Sequence, residues 1–397
     1  MPAGAAAQAT NTSVVPAGVF NGVSLMTGIA ASSPDSAWAV GSTALDVLPD
    51  GVTVKQRCVI EHWNGRRWRA NERCPNPGSD WLEGVTALST RSAWAVGATP
   101  PPSPDPASLT QPLILRWNGI RWRRAPSPRF QFGGQLAAVS AVSPRRAWAV
   151  GDALDKYGDP VAAILTWNGR TWRQTPVAAL ASGPAAPPSD SPLAAVAATS
   201  ASNAWAVGSG PGPNPANPLI LRWNGHRWTP AKLPALPFCG GNFCNLTGVA
   251  ATSSSNAWAV GVDLAPDQVE STSMPFILHW NGRAWKNVPC PACKPFDGLS
   301  GLNAVVASRG LAWAVGWAQP LKPGGSAGPG QVVILKWNGH VWKRMKVSGR
   351  PADTSPVLSG VAAPSGKLAW AVGGPAGHPS AGNSSALLFT WNGKVWR

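Results

Sequence analysis

Acids are scarce in this chain, 17 Asp and Glu in 397 residues, so carboxylates that could do chemistry stand out. Asp152, Asp155 and Asp159 share one short stretch with Tyr157, the single tyrosine. Asp263, Asp267 and Glu270 share another. Paired carboxylates run glycoside hydrolysis as acid and base or nucleophile. With carbonyls and water they hold Ca²⁺. Solvated loop carboxylates are the commoner case, so Asp152, Asp155, Tyr157, Asp159, Asp263 and Asp267 are taken as a ligand-binding set with no assigned catalytic role. Trp317, which follows Gly316 at the mouth of a variable segment, joins them as a stacking platform.

The six cysteines offer a second chemistry. Cys58 lies five residues before Trp63, and Cys74 lies six after Trp68. A hairpin between the two tryptophans brings these thiols together. Cys239 and Cys244 form one close pair, Cys290 and Cys293 another. Three local disulfides fit a secreted protein. The alternative is one zinc ion on Cys239, Cys244, Cys290 and Cys293. No thioredoxin-like βαβ context surrounds Cys290-Pro-Ala-Cys293, so a redox role is not expected. The five histidines are scattered. Equivalents of His62 and His279 are Arg, Thr or Lys, which excludes a common metal role.

Cations form the third group. The formal net charge is +16 and the pI about 10.4, a balance that favours polyanionic partners. The positive residues recur at one place: Arg66 and Arg67, Arg121 and Arg123, Arg170, Arg227, Arg283, Lys343 and Lys394. Charged outer strands also guard sheet edges against aggregation, but that job does not require one sign. An adhesive rim for a glycan, an anionic polymer or a protein partner does. Nucleic acid could engage it only through non-specific charge.

A repeat must position these groups. Ala-Trp-Ala-Val-Gly recurs at Trp38, Trp94, Trp148, Trp205, Trp258, Trp313 and Trp370, and Trp-Asn-Gly-x-x-Trp begins at Trp63, Trp117, Trp167, Trp223, Trp280, Trp337 and Trp391. Copies lie 50 to 57 residues apart and use 21 of the 23 tryptophans, which assigns those tryptophans to structure. Each repeat predicts four antiparallel strands. The first is small-residue and inner, and the second carries Ala-Trp-Ala-Val-Gly. The third ends in Trp and turns at Asn-Gly, expected as a tight type I′ hairpin. The fourth is short, basic and outer. Seven such units without helices predict an all-β, seven-bladed β-propeller with four strands per blade.

Residues 13–397 are expected to form this single domain, and Thr12–Pro16 to supply the outer strand of the last blade and close the ring. Residues 1–12 read as a disordered segment. Ala7-Gln8-Ala9 has the small-x-small form of a signal cleavage site, so the segment is expected to be a signal-peptide remnant. No run of 18 apolar residues is present, so no transmembrane segment is expected.

The strand order, with an aromatic strand ending in Gly followed by an aromatic–turn–Trp hairpin, resembles the kelch repeat of galactose-oxidase-type propellers. The double glycine of that repeat occurs only at Gly373-Gly374. The Asn-Gly-x-x-Trp turn is similar to the Asp-box of sialidase-like propellers, without its Ser and Asp. The whole array most resembles tryptophan-rich repeat proteins of secreted actinobacterial type, which implies architecture and no single activity. Galactose-oxidase copper chemistry needs two tyrosines, and this chain has one. A sialidase set of Tyr, Glu and three arginines is not evident.

The expectation is therefore an extracellular or cell-surface propeller that binds without catalysis and needs no cofactor. The competing readings are an extracellular carbohydrate-active hydrolase or lyase using the Asp-bearing loops, and a structural or assembly component.

Overall fold

In the computed structural model of the chain, the described residues are 25–47, 54–70, 74–75, 80–100, 109–177, 193–210, 217–236, 239, 243–264, 273–293, 298–308, 310–322, 326–348, 355–375 and 386–397. They form 27 β-strands and one 3₁₀ turn, Pro291–Cys293, and no α-helix. The architecture is an all-β propeller. The second repeat shows the pattern: inner strand Trp81–Ser89, second strand Ser92–Thr99, third strand Gln111–Trp117 and outer strand Trp122–Arg124, paired in that order.

The hydrogen-bonded sheets number six, not the seven expected from the repeats. Five are separate sheets of three or four strands, and the sixth has eight. The eight-stranded sheet spans the fifth and sixth repeats, which meet at one parallel pair, Ser273 opposite Leu299. The Ser273 hydroxyl donates to the Ser300 carbonyl at 3.0 Å, and the Ser300 amide donates back to that hydroxyl at 2.8 Å.

The inner strands follow one another around a common axis, each packed on the next, and the last, Pro356–Ser365, packs on the first, Leu25–Ser33. Small residues are required there. A Cβ on Gly84 would come within 2.9 Å of the Ala138 Cα, and one on Gly360 within 3.2 Å of the Ile29 amide. The glycine ending Ala-Trp-Ala-Val-Gly has a different cause. Next to it the inner strand carries a β-bulge, as at Leu82/Gly84, and the bulged backbone crowds the glycine. A Cβ on Gly97 would overlap the Trp81 carbonyl oxygen.

Tryptophans hold neighbouring repeats together. Trp94 of the second repeat meets Trp167 and Trp172 of the third, with ring centroids 5.1 and 5.2 Å away. Trp205 meets Trp280 and Trp285 in the same way, and Trp313 meets Trp391 and Trp396. Such tilted and edge-on pairs add roughly 0.5–1.5 kcal/mol each beyond their area burial. Around the ring, Trp370 of the last repeat meets Trp63 and Trp68 of the first.

In five of the repeats the residue before the first hairpin tryptophan packs on these rings. Arg116 lies over Trp94 and Trp167, Arg222 over Trp205 and Trp280, and Lys336 over Trp313 and Trp391. His62 and His279 take the same position, their rings 4.1 and 4.2 Å from Trp38 and Trp258. Packing explains these histidines, and burial lowers both pKa values.

The segment expected to close the ring, Thr12–Pro16, lies outside the described residues. Within them, the last repeat begins its own outer strand. Thr390 and Arg397 exchange two backbone hydrogen bonds, and Trp391 pairs with Trp396. The first and last repeats meet through side chains and through inner strand on inner strand.

Candidate functional site

The Asn-Gly turn is longer than a two-residue hairpin. Each pair of tryptophans faces across the ladder, as Trp63 does Trp68, so four residues form the loop. Asn and Gly occupy its first half and the cations its tip. In all seven hairpins the asparagine side chain caps the tip. Asn64 Oδ1 accepts the Arg66 and Arg67 amides at 3.1 Å, and Asn281 Oδ1 accepts those of Arg283 and Ala284 at 3.0 Å. The glycine takes a φ of 88–100°, the left-handed region that penalises other residues.

The first tryptophan ties this loop to the turn between the inner and second strands. Trp63 Nε1 donates to the Pro34 carbonyl, Trp117 to Thr90, Trp167 to Pro144 and Trp280 to Ser254, all at 3.0 Å. Hairpins and turns therefore share one face. Its exposed cations are Arg66, Arg67, Arg91, Arg121, Arg145, Arg170, Arg227, Arg283, Lys367 and Lys394. Asp35 is the one acid among the described residues there. Arg123 and Lys343 lie on the outer strands beside it, also exposed. The expected basic rim is thus brought together, with Arg91, Arg145 and Lys367 added from turns that the hairpin motif did not include.

The loop acids form no such assembly. Asp152 stands in the strand Arg146–Leu154, 6 % exposed, with one carboxylate oxygen unpartnered. Burial raises its pKa, and a hydrogen bond with Gln135 opposes that rise. Asp155 shapes a turn, its Oδ1 accepting the Tyr157 and Asp159 amides at 2.8 and 3.0 Å. Tyr157 is 75 % exposed, with the Lys156 ammonium 4.7 Å from its ring centre. Asp263 is buried, 3.5 Å from Cys244 Sγ, a disulfide sulfur with no proton to donate. Asp267 lies outside the described residues. Trp317 is not at a loop mouth but within the strand Leu311–Pro320, opposite Gly301 and Val332, where its half-buried ring packs near Gly301.

The cysteines are paired as Cys58–Cys74, Cys239–Cys244 and Cys290–Cys293. The zinc alternative needs four thiolates, which these disulfides consume. Among the described residues no group of three or more His, Cys, Asp and Glu could hold a metal.

Sequence reasoning passed over two carboxylates, the buried Glu61 and the half-buried Glu83. Glu61, 5 % exposed, stands where other repeats have Leu115, Leu165, Leu221, Leu278, Leu335 and Phe389. It pairs across the ladder with Ala39, which packs in the cluster holding Trp370 and Val372. Glu83 lines the axial channel, whose volume is about 190 Å³. Burial alone pushes each up to about 7. Aligning the seven repeats column by column exposes both as departures, which is the signal that could have found them.

No protein-family profile matches the chain, and no curated protein matches it in sequence. Solved structures do match, at low identity. One is YCF48 bound to D1 peptide, at 12 % identity and a TM-score of 0.51, covering 94 % of this chain and 95 % of that one. Another is the GH74 xyloglucanase from Xanthomonas campestris, at 14 % identity and 0.51, covering 94 % of this chain and 55 % of that one. A third is the polysaccharide lyase PL25 ulvan lyase, at 8 % identity and 0.50, covering 78 % and 80 %. These likenesses show the propeller fold. No helix among the described residues is long and apolar enough to cross a membrane.

Proposed function

We propose that this chain is a secreted, non-catalytic propeller that grips a linear polyanion, an anionic glycan or cell-surface polymer, with its hairpin face. The observation that carries the reading is the charge of that face: among the described residues, ten exposed cations against one acid. Multiple weak contacts on a rigid ring sum through effective concentration. Three disulfides support an oxidising compartment. The repeat, rather than the hydrogen-bonded sheet, is taken as the blade, which counts seven blades in a kelch-like, tryptophan-rich ring. Matched propellers include a polysaccharide lyase and a peptide-bound protein, so the fold accommodates both kinds of partner.

The test is binding of heparin and of teichoic acid, with and without salt. Affinity is expected to fall about tenfold or more as salt rises from low to several times physiological. The triple variant Arg66→Glu, Arg67→Glu, Arg121→Glu is expected to bind at least about tenfold more weakly with its melting temperature unchanged. Salt-insensitive binding, or full binding by that variant, overturns the reading. The competing hydrolase or lyase reading draws on Asp152, a buried carboxyl held toward its protonated form. Release of reducing ends that Asp152→Asn abolishes would put that reading in its place.

A further inference from the structure

The three disulfides differ in how much chain they tie. Cys58–Cys74 spans 16 residues and Cys239–Cys244 spans 5, whereas Cys290–Cys293 spans 3 and closes the single 3₁₀ turn, Pro291–Cys293. A loop so short removes the least entropy from the unfolded chain, so this bond stabilises the fold least. The other repeats fold without it. The chain reaches the turn along the third strand, where the Val288 amide donates to the Ile277 carbonyl at 2.9 Å. Ala125, Thr175 and Met345 make the same bond in the second, third and sixth repeats. Two residues further on, those repeats have Ser127, Val177 and Val347 in place of Cys290, and no cysteine follows in their connecting segments.

The two sulfur-bearing residues differ in access. Cys293 is 8 % exposed and packs with Trp258, Leu302 and Trp342 in the core between the fifth and sixth repeats. Cys290 is half-buried at the edge of that core. Beside the pair runs a groove of about 410 Å³, lined by both cysteines, Pro289, Pro291, Phe276 and Met274. Met274 is 45 % exposed, so this apolar wall opens to solvent. Lys343 and Arg344 stand on the outer strand Trp342–Arg344, which packs against the turn. Positive charge near a thiol favours its thiolate. The Cys293 amide donates to the Cys290 carbonyl at 2.9 Å, a backbone bond that closes the turn without help from the sulfurs. The turn thus holds two thiols together once the disulfide has opened.

We propose that Cys290–Cys293 is an exchangeable disulfide that oxidises a dithiol protein segment seated in this groove. A thiolate of the partner attacks Cys290 Sγ. The bond between Cys290 and Cys293 breaks, and Cys293 leaves as a thiolate that takes up a proton. The partner's second thiol gives up its proton and attacks the partner's own sulfur in the mixed disulfide, displacing Cys290 as a thiolate that is protonated in turn. Two electrons pass from the partner to the pair, so the partner gains a disulfide and this chain gains two thiols. The lack of a thioredoxin-like frame removes a resemblance and not the chemistry, which needs an accessible sulfur, a leaving thiolate and a seat for the partner. The site does not rest on the hairpin face, because the turn lies past the other end of the outer strand Trp285–Asn287.

The experiment mixes the full oxidised chain with reduced thioredoxin as the dithiol probe under native conditions, traps thiols with iodoacetamide and locates them by peptide mapping. Alkylation at Cys290 and Cys293 is expected to be at least about tenfold faster than at the other four cysteines. In Cys293→Ser, the freed Cys290 is expected to form a mixed disulfide with oxidised glutathione at least about tenfold faster than Cys293 does in Cys290→Ser. Met274→Asp, on the groove wall, is expected to slow opening by thioredoxin about fivefold and to leave opening by dithiothreitol unchanged. Opening of Cys290–Cys293 no faster than that of the other pairs, or only in denaturant that unfolds the chain, overturns the proposal in the wild-type protein alone. Cys293 reacting as fast as Cys290, or Met274→Asp treating both reductants alike, overturns it as well.

Discussion

The boundary between the fourth and fifth repeats and the boundary between the last and first use the same three tryptophans but differ in what surrounds them. In the former, Trp205 lies 5.0 and 5.1 Å from Trp280 and Trp285, both buried. Arg222 lies over Trp205 and Trp280, and Leu278 fills the core position two residues before the hairpin. At the latter, Trp370 lies 5.6 and 5.8 Å from Trp63 and Trp68, which are half-buried. Thr390 replaces the clamping cation, and Glu61 replaces the leucine. A periodic motif thus sets the geometry of a contact, while the unconstrained positions around it set the strength. The seam has fewer supports than the boundary between the fourth and fifth repeats.

Removing the central indole tests this most severely. Trp205→Ala is expected to cost about 3–5 kcal/mol, the range for truncating a buried tryptophan. Trp370→Ala is expected to fall at or below the lower end of that range. Urea unfolding of both variants decides it, and equal losses would make the seam an ordinary boundary.

Glu61→Leu restores the side chain of the other repeats and carries a sign. The carboxyl has its pKa raised above its unfolded value, to about 7. The folded state then holds the extra proton, so stability is greatest below about pH 4.5 and declines as pH rises toward 7. At about pH 8 the leucine variant is expected to be more stable by roughly 1–2 kcal/mol, less than the full linkage value because solvent reaches part of the carboxyl. His62 and His279 pull the other way. Their pKa values are lowered, so their contribution is lost as pH falls below about 6.5. Glu61→Leu should therefore flatten the slope between pH 5 and 7, with Glu83, likewise pushed up to about 7, keeping part of it. Melting curves across that window check this, and an unchanged slope would remove Glu61 from the account.

The smallest effect is a gain. Thr390→Arg supplies the cation that Arg222 provides elsewhere, and is expected to add about 0.5–1 kcal/mol at the seam. The same exchange at Thr166, beside the pair Trp148 and Trp223, should add less because Arg146 already lies over Trp148.

The propeller was legible because its evidence repeats. Trp38 and its six counterparts recur with the chain's own period, and the shape of the hairpin tip follows from Asn-Gly. What stayed illegible is what occurs once. Glu61 and Glu83 are single departures in columns of leucine and of small polar residues, and motif searching discards such departures as noise. The placement of Asp152 and Trp317 in strands, where loops were expected, has a related reason. Both were assigned to loops because they follow the glycine of the second strand, yet that strand continues past the glycine once the bulge has been accommodated. The basic face was legible in its hairpins and not in its turns, since Arg91, Arg145 and Lys367 join it only through hydrogen bonds made by distant tryptophans.

In every described repeat the strands of a blade come from one contiguous stretch of chain, and most boundary contacts are made by side chains, with backbone pairs such as Ser273 with Leu299 and Ser348 with Trp396 beside them. Nothing in that arrangement privileges one repeat as the first. Such a ring is expected to tolerate circular permutation, with new ends opened between two repeats. It is also a form that gene duplication can lengthen or shorten by whole units, because each added copy brings both the indole that its neighbour needs and the pocket that receives the next.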